Sequence, residues 1–335
     1  MTKKSPRHDG FVRRLFAHHD VTVAQLRWLV SPALAAELDW ATLRQGPTDT
    51  ADVTGRARRS DVIFEIRTRR GDPLLLHILL EHQRAPDPLM AFRMVQYQTR
   101  IWQAFIDHVG KDTLTALPPI LPIVLYNGTQ AWRAPAAIED LARAPASWAL
   151  GAHQLSGRFV LLDLSQVPDD AIETQAANAH LELGLLALKH ISDPDPWTRF
   201  LEWEASLRKV RAMAQGNDRI QAVLHYLFRA AAPPSAEERR RVIQLLPEFE
   251  SDIVTWEQQI RQEALSEGER KGRSEGRLEG RLEALRHTVR VLLKARFGAL
   301  TSEAKRQIDE ADEDTLNDFV ERFPSFEGSL DEFLA

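Results

Sequence analysis

The segment from Leu74 to Leu80 constrains the fold most, because six of its seven residues are leucine or isoleucine and Glu81 follows directly. A short apolar run of this kind is typical of a strand that is covered on both faces, inside a layered α/β body. A carboxylate at the end of such a strand is costly unless it is paired or binds a cation. The run therefore predicts a central strand that ends in a charged group in need of a partner.

The neighbouring segments extend this strand into a mixed sheet. Residues 62–66 are β-prone, and a turn cluster rich in Arg, Gly, Asp and Pro separates them from the central strand, so we expect a hairpin. Asp87-Pro88 predicts the start of an amphipathic helix, since Asp is a good N-cap and Pro suits the first helical position. Further strands are predicted at 117–126 and 159–164. This order of strand, helix and strand indicates a βαβ unit.

The strand signals end near residue 169, and the rest of the chain is predicted to be helical. We expect four parts, namely an α/β core at 7–165, a helical region at 166–263, a glycine-repeat charged helix or linker at 264–285, and a small acidic helical module at 286–335.

A glycine recurs every four residues in the third part. Each glycine inside a helix costs roughly 1 kcal/mol relative to alanine. The repeat also places arginines and glutamates in separate stripes, which suits pairing of one chain with another through close helix approach. We expect a homo-oligomer formed through this segment, with a solvated flexible linker as the alternative. The glycines are Gly268, Gly272, Gly276 and Gly280, and the arginine stripe is Arg273, Arg277 and Arg281.

Composition excludes several classes of site. The 335 residues include no cysteine, which excludes disulfides, thiolate zinc sites and a cysteine nucleophile. No run approaches the roughly 20 apolar residues of a membrane span, and no apolar segment typical of a signal peptide follows the first lysines, so we expect a cytoplasmic protein without membrane contact. The net charge is −5, but residues 301–335 hold eleven acids and three bases. The other 300 residues therefore sum to +3, so an acidic tail masks a weakly basic remainder.

Two acids flank the predicted hairpin. Asp61 lies near the start of one strand and Glu81 at the end of the other, so a suitable register brings them together. Two carboxylates at one sheet edge are a natural site for Mg²⁺, and the main-chain carbonyl of His82 could supply a further ligand. Such pairs also occur on solvated surface hairpins, and the residues alone leave both readings open.

Basic residues near these acids indicate a nucleic-acid surface. Arg56, Arg58 and Arg59 precede Asp61 with few acids between them, and phosphate neutralisation dominates nucleic-acid affinity. Arg93 and Tyr97 share a helix face at i, i+4 and are further candidates for phosphate contact. A solvated charged loop and a hydrogen-bonding helix face are the alternatives.

Several ordered segments resemble the Rpn family of recombination-promoting nucleases, also described as YhgA-like transposases. The matching segments are His8-Asp9 with Phe11 and Phe16, Leu79 to Asp87, Met90 to Met94 with Tyr97, Leu121 to Gly128 with Trp132, and Leu162-Asp163-Leu164. The resemblance covers about residues 7–165 and is looser beyond them.

The resemblance implies an α/β core of the PD-(D/E)XK restriction-endonuclease type, followed by an all-helical C-terminal region. It implies that Asp61 and Glu81 hold Mg²⁺ or Mn²⁺ and that Gln83 orients the attacking water. Many members of that superfamily have lysine at the position of Gln83, which carries no positive charge, so low intrinsic activity is expected. Asp9 and Asp163 are candidate additional acids.

The function expected from this resemblance is metal-dependent DNA endonuclease activity, linked to recombination or mobile elements. Two alternatives remain open. One is a non-catalytic DNA-binding or assembly protein on a degenerate nuclease scaffold, and the other is a nuclease that acts on RNA.

Overall fold

The computed structural model of the protein describes residues 6–46, 61–81, 86–142 and 153–334. The chain divides into two compact units, Met1–Trp256 and Glu257–Ala335. Each unit has its own core, and the boundary falls within one long helix. The predicted division into four parts stays a prediction.

The first unit contains a five-stranded sheet in which strand order follows the chain. The hairpin and the βαβ unit are confirmed, because β2 pairs antiparallel with β3 while β3 and β4, on either side of helix α4, are parallel. β1 is antiparallel to β2, and β5 is parallel to β4. The strands are β1 (Leu38–Gln45), β2 (Asp61–Thr68), β3 (Pro73–Glu81), β4 (Ile120–Tyr126) and β5 (Val160–Asp163).

Helices make up most of the remaining described chain, as predicted beyond residue 169. The helices of the first unit are α1 (Pro6–Phe16), α2 (His19–Leu29), α3 (Pro32–Glu37), α4 (Met90–Val109), α5 (Asp169–Gln175), α6 (Ala179–His190), α7 (Pro196–Glu202), α8 (Glu204–Arg211), α9 (Gly216–Ala230) and α10 (Ala236–Leu245). Helix α11 (Glu250–Phe297) crosses the unit boundary, and the second unit adds α12 (Ser302–Glu310), α13 (Glu313–Arg322) and α14 (Leu330–Leu334). No described helix is long and apolar enough to cross a lipid bilayer.

Helix α4 covers one face of the sheet. Met94 and Tyr97 of this helix form a buried cluster with Val124 of β4. Nearer its C-terminal end, Ile101 packs with Ile63 of β2. This packing fixes the helix over the central strands.

Helix α6 is the central helix of the first unit. Ten of its twelve residues are buried, because neighbouring helices surround it. Gly184 allows close approach of α1, since a Cβ atom built at this position would lie 2.7 Å from both terminal carbons of Leu15. Burial on all sides explains why α6 is hydrophobic around most of its circumference.

The second unit has a small core of its own. Val289 and Leu293 near the end of α11 pack with Ile308, Leu316 and Phe333 from the three helices that follow. The glycine repeat lies earlier in α11, where the four glycines are exposed and an added Cβ atom would meet nothing within 4 Å. The segment is therefore helical, and the described part of its own chain does not cover the glycine stripe.

Two features of the fold differ from the expectation, namely an additional strand and the start of a helix. The sequence indicated no strand at Leu38–Gln45, yet these residues form β1. Helix α4 begins at Met90 rather than at Pro88, because the Asp87 carboxylate accepts a hydrogen bond from the backbone N–H of Leu89 and closes a turn before the helix.

Candidate active site at the carboxyl ends of the parallel strands

Three parallel strands end in one row across the sheet. Glu81 pairs with Tyr126, and Tyr126 pairs with Asp163. Asp61 is the first residue of the antiparallel strand β2 and pairs with Leu79, two residues before Glu81. Because paired residues lie side by side, the positions of Asp61, Glu81 and Asp163 share one end of the sheet. Open α/β sheets bind ligands at this end, the carboxyl edge of the parallel strands.

The structure describes Asp61 and Glu81 at the level of the backbone. The register of β2 with β3 brings the two positions to the same end of the sheet. The predicted shared site depends on such a register. A slip of one residue would move one acid to the opposite face, since side chains alternate along a strand. The observed register of seven consecutive pairs, Asp61–Leu79 through Arg67–Pro73, contains no such slip.

The carboxylate of Asp163 is held by hydrogen bonds at the end of β5. Its Oδ2 atom accepts a hydrogen bond from the backbone N–H of Trp132 at 2.7 Å. Its Oδ1 atom accepts from the backbone N–H and the hydroxyl of Ser165, at 3.0 and 2.7 Å. Asp163 therefore ties the loop after β4 to the end of β5, a role that the sequence did not indicate.

Aromatic packing supports the middle of the row. Tyr126 is fully buried, and its ring meets that of Trp132 edge to face with centroids 5.0 Å apart. Trp132 in turn meets Phe159 edge to face at 6.0 Å. The next residue after β4, Asn127, donates a side-chain hydrogen bond to the carbonyl of Leu188 in α6 at 3.3 Å. These contacts hold the end of β4 in a fixed position.

Arg93 and Tyr97 extend from α4 on the side that carries the buried cluster with Val124. The Arg93 Nη1 atom lies 2.6 Å from the Asp87 carboxylate, and Nη2 donates to the Tyr97 hydroxyl at 3.3 Å. The Arg100 guanidinium also lies 6.0 Å from the centre of the Tyr97 ring. Tyr97 is only 8% exposed, so most of its ring serves the core. Arg93 is held in place by Asp87, which also neutralises part of its charge.

The family profile described as "Putative transposase, YhgA-like" matches residues 6–217, which is more than half of the chain. The chain belongs to this family. This confirms the resemblance that the ordered sequence segments indicated.

Proteins with related sequences carry nuclease names. The chain is 28% identical over 199 residues to "Recombination-promoting nuclease RpnD" of Escherichia coli O157:H7, covering 56% of this chain and 69% of the relative. It is 26% identical over 274 residues to "Recombination-promoting nuclease RpnA" of Escherichia coli strain K12, covering 78% and 87%. It is 32% identical over 161 residues to "Inactive recombination-promoting nuclease-like protein RpnE" of the same strain, covering 46% and 48%. No solved structure matches significantly.

Several predicted site residues of this YhgA-like chain lie outside the described residues, namely His82, Gln83, Arg56, Arg58 and Arg59. Asp9 lies in α1, where the structure describes its backbone. Its neighbour His8 is buried, and the His8 Nδ1 atom lies 2.7 Å from the Tyr226 hydroxyl. His8 thus joins α1 to α9 in the core.

Among the described side chains, no group of three or more His, Asp or Glu is arranged to hold a metal ion. The side chains of Asp61 and Glu81 are not among those described, so the predicted metal site at these positions stays a prediction.

The sequence did not predict a polar cluster that is buried at His180 and Arg219 and half-buried at its other two residues. It consists of Asp20, Asn178, His180 and Arg219, and we call it the buried polar cluster. The Arg219 guanidinium binds both carboxylate oxygens of Asp20, at 2.8 and 3.1 Å, and contacts His180 Nδ1 at 3.2 Å. Asn178 donates a further hydrogen bond to Asp20 at 3.0 Å. Asp20 and Arg219 lie 199 residues apart, so no local sequence pattern indicates the contact.

The environment of this cluster shifts two pKa values. Burial raises the pKa of Asp20, but hydrogen bonds from Arg219 and Asn178 outweigh this effect and lower it to about 2. Burial, with the nearby charges of His18 and Arg219, lowers the pKa of His180 to about 3. His180 is therefore neutral at pH 7, while Asp20 is ionised. Asp20 and Arg219 are paired with each other within the chain, which favours a structural role.

Proposed function

We propose that this chain is a metal-dependent DNA endonuclease linked to recombination or mobile-element activity, with a PD-(D/E)XK-type core. Family membership and the nuclease names of RpnD and RpnA support the reaction class. The observation that carries the proposed site is the strand register, because Asp61 pairs two residues before Glu81 at the carboxyl edge of the parallel strands.

In this proposal, Asp61 and Glu81 hold Mg²⁺ or Mn²⁺, with the main-chain carbonyl of His82 as a further ligand. These oxygen donors fit a hard divalent cation. Such an ion, when bound, lowers the pKa of a water molecule and polarises a phosphodiester. Gln83 orients the attacking water through its amide group. Since the amide carries no positive charge, it gives less stabilisation to the developing negative charge than lysine would.

The same proposal assigns the DNA contacts to basic residues that come before and after the two acids in the sequence. Arg56, Arg58 and Arg59 lie in the segment before β2, and Arg93 and Tyr97 lie on α4. The Asp87 carboxylate orients Arg93 but also competes with DNA for it, at 2.6 Å. We therefore expect Arg93 to contribute less to affinity than an exposed arginine would. Asp9 and Asp163 are candidate additional acids of this site.

A plasmid-nicking assay tests the proposal. Purified protein is incubated with supercoiled DNA in Mg²⁺, in Mn²⁺ and in EDTA, alongside Asp61→Asn and the control Glu65→Gln. Glu65 lies on the same strand and forms an exposed ion pair with Arg44 at 2.6 Å, so this control changes charge on β2 away from the strand end. We expect cutting by the wild type and the control in either metal, and none by Asp61→Asn or in EDTA.

Two results would redirect the proposal. No cutting by the wild type, with DNA still retarded in a gel at moderate salt, favours the non-catalytic binding or assembly protein. The uncharged Gln83 and the relative named as inactive motivate that second candidate. Metal-dependent cutting of an RNA substrate in the same assay, without cutting of DNA, would replace DNA by RNA as the substrate.

We further propose that two copies of the chain associate through residues 264–285. Four exposed glycines in one helix cost about 4 kcal/mol relative to alanine, and the described part of the chain gives no contact in return. The described side chains from Leu265 to Gly280 are exposed, so no core of this chain stabilises that part of the helix. Its arginine and glutamate stripes are complementary to those of a second copy, and glycine allows the two helices to approach closely.

Replacing the four glycines by alanine distinguishes a helix that associates with a second copy from a single exposed helix. If the glycines serve close approach, the variant loses the oligomer in sedimentation velocity while its helix content is retained. If the segment is a single solvated helix, the variant keeps the oligomeric state of the wild type and only gains thermal stability. The second result would contradict the proposal.

A further inference from the structure

A cavity of about 460 Å³ lies between α1 and α9, distinct from the strand ends. One face of each helix lines it, at helical spacing on both sides. The lining residues are Gly10, Phe11 and Arg14 from α1, and Ala222, His225, Tyr226 and Arg229 from α9.

The cavity wall is basic. Arg14, His225 and Arg229 supply three nitrogen-bearing basic groups, and among the residues that the structure describes no acid lines the cavity. Burial, together with the charges of Arg14 and Arg229, lowers the pKa of His225. Burial makes the largest contribution to this lowering, and the two arginines add to it because a positive charge disfavours a further cation nearby.

The base of the cavity is rigid. Phe11 and Tyr226 stack with ring centroids 4.1 Å apart and an interplanar angle of 7°. The Tyr226 hydroxyl is fixed by its contact with His8 Nδ1 at 2.7 Å. The space at Gly10 is open, since a Cβ atom added there would meet nothing within 4 Å. Preformed walls reduce the ordering cost of binding a ligand.

We propose that this cavity binds a backbone phosphate of a DNA strand. Arginine binds phosphate through its planar fork of N–H donors, and the imidazole ring of His225 adds one N–H donor. The volume exceeds that of one phosphate group and admits the adjoining sugar. The cavity is exposed at Arg14, so a continuous strand can pass over it. The choice of a DNA strand as the source of the phosphate rests on the proposed function.

The salt dependence of DNA binding tests the site. Binding of a labelled duplex is measured by fluorescence anisotropy in EDTA, so that cleavage plays no part, over a series of salt concentrations. Each neutralised phosphate contributes about 0.9 to the slope of log K against log salt concentration. We expect Arg14→Gln to reduce the slope by about that amount. The control Arg240→Gln removes an exposed arginine of α10 that does not line the cavity, and should leave the slope unchanged.

A steric variant removes access without removing charge. Gly10→Leu places an apolar side chain in the open part of the cavity, and we expect it to weaken DNA binding about as much as Arg14→Gln. Circular dichroism confirms that each variant is folded. Equal slopes for Arg14→Gln and Arg240→Gln, or an absence of duplex binding by the folded wild type, would overturn the proposal whether or not the protein cuts DNA.

A titration with inorganic phosphate distinguishes a cavity that binds a DNA strand from one that binds a free anion. The ring proton resonances of His225, assigned with His225→Asn, are followed by NMR while duplex DNA or phosphate is added. A shift caused by the duplex and lost in Gly10→Leu supports the strand assignment. A shift caused by phosphate alone, with none from the duplex, would assign the cavity to a free anion and contradict it.

Discussion

The strand-end acids and the buried polar cluster use charge in opposite ways. In the cluster, Asp20 is neutralised by Arg219 within the chain, through two hydrogen bonds of 2.8 and 3.1 Å. At the strand end, the described partners of Asp163 are backbone N–H groups and a serine hydroxyl. Neutral donors leave the negative charge in place. A charge with an internal counter-ion stabilises the fold, whereas a charge held only by neutral donors can still attract a cation.

This contrast predicts that the two regions respond to mutation through different measurements. Variants of Asp61 and Glu81 at the strand end should affect cleavage more than stability. Variants in the cluster should affect stability more than cleavage. A variant that violates this separation would show that the two regions are coupled.

The largest effect is expected for Glu81→Gln. The substitution keeps the size of the side chain but removes the charge proposed to hold the metal, so we expect cleavage to fall by about 10³-fold, which corresponds to about 4 kcal/mol. Initial rates of plasmid nicking in Mg²⁺ measure the loss, and urea denaturation measures stability. Retained cleavage at the wild-type rate would remove Glu81 from the proposed site.

The next effect is expected for Arg219→Gln, which acts on the cluster. It removes the counter-ion of Asp20 and leaves the Ala214 carbonyl without its 3.1 Å hydrogen bond. Loss of one partner of a fully buried ion pair costs about 3–5 kcal/mol, but the Asp20 side chain is 41% exposed. Solvent screening reduces the expected loss of unfolding free energy to about 2 kcal/mol.

Urea denaturation measures this loss, and Arg199→Gln is the matched control. Arg199 forms an exposed pair with Glu202 at 3.3 Å, so the control should lose less than about 0.5 kcal/mol. The cleavage rate per folded Arg219→Gln molecule should stay within twofold of the wild type. A large loss of cleavage at full folding would mean that the cluster also shapes the active site.

The pH dependence of the unfolding free energy should reveal the protonation of His180. The unfolded chain binds a proton at this residue near pH 6.5, whereas the folded chain does so only near pH 3. Acidification through this window therefore favours the unfolded state, and stability falls as the pH falls. Between pH 7 and pH 5 the contribution is about 2 kcal/mol.

Urea denaturation of His180→Gln at both pH values isolates this contribution. The variant should lose about 2 kcal/mol less than the wild type on acidification, because glutamine does not titrate in this range. His18 has its pKa lowered as well, chiefly by burial, so part of the dependence remains. His19→Gln, at an exposed neighbouring position, should keep the full wild-type difference. Identical profiles for all three proteins would contradict the assignment.

Local patterns predicted the central part of the fold. The apolar run at Leu74–Leu80 and its turn cluster specified the hairpin, and the order of strand, helix and strand specified the parallel pair on either side of α4. The same segments carried the family resemblance. The carboxyl edge could therefore be located from sequence, because it depends on contacts between neighbouring elements.

Other features depend on distant contacts and were not predicted. Strand β1 has few β-branched residues, and its register with β2 shifts between Asp39 and Arg44, so its pattern resembles a helical turn more than a strand. The buried polar cluster joins residues from α2, α6 and α9. Asp163 was predicted as an acid of the strand end, but one of its three hydrogen bonds comes from Trp132, in a loop 31 residues away.

The smallest effect is expected for Asp163→Asn, which tests whether Asp163 supports the loop after β4 or binds the metal. The substitution turns one carboxylate oxygen into an NH₂ group, which faces either the Trp132 N–H or the Ser165 donors. At least one hydrogen bond is therefore replaced by a contact between two donors. We expect a loss of about 1 kcal/mol in unfolding free energy and less than a tenfold loss of cleavage at saturating Mg²⁺. Because both oxygens already accept hydrogen bonds, Asp163 should act mainly by fixing the loop after β4. A 100-fold loss of cleavage at wild-type stability would instead place it with Asp61 and Glu81 as a residue that binds the metal.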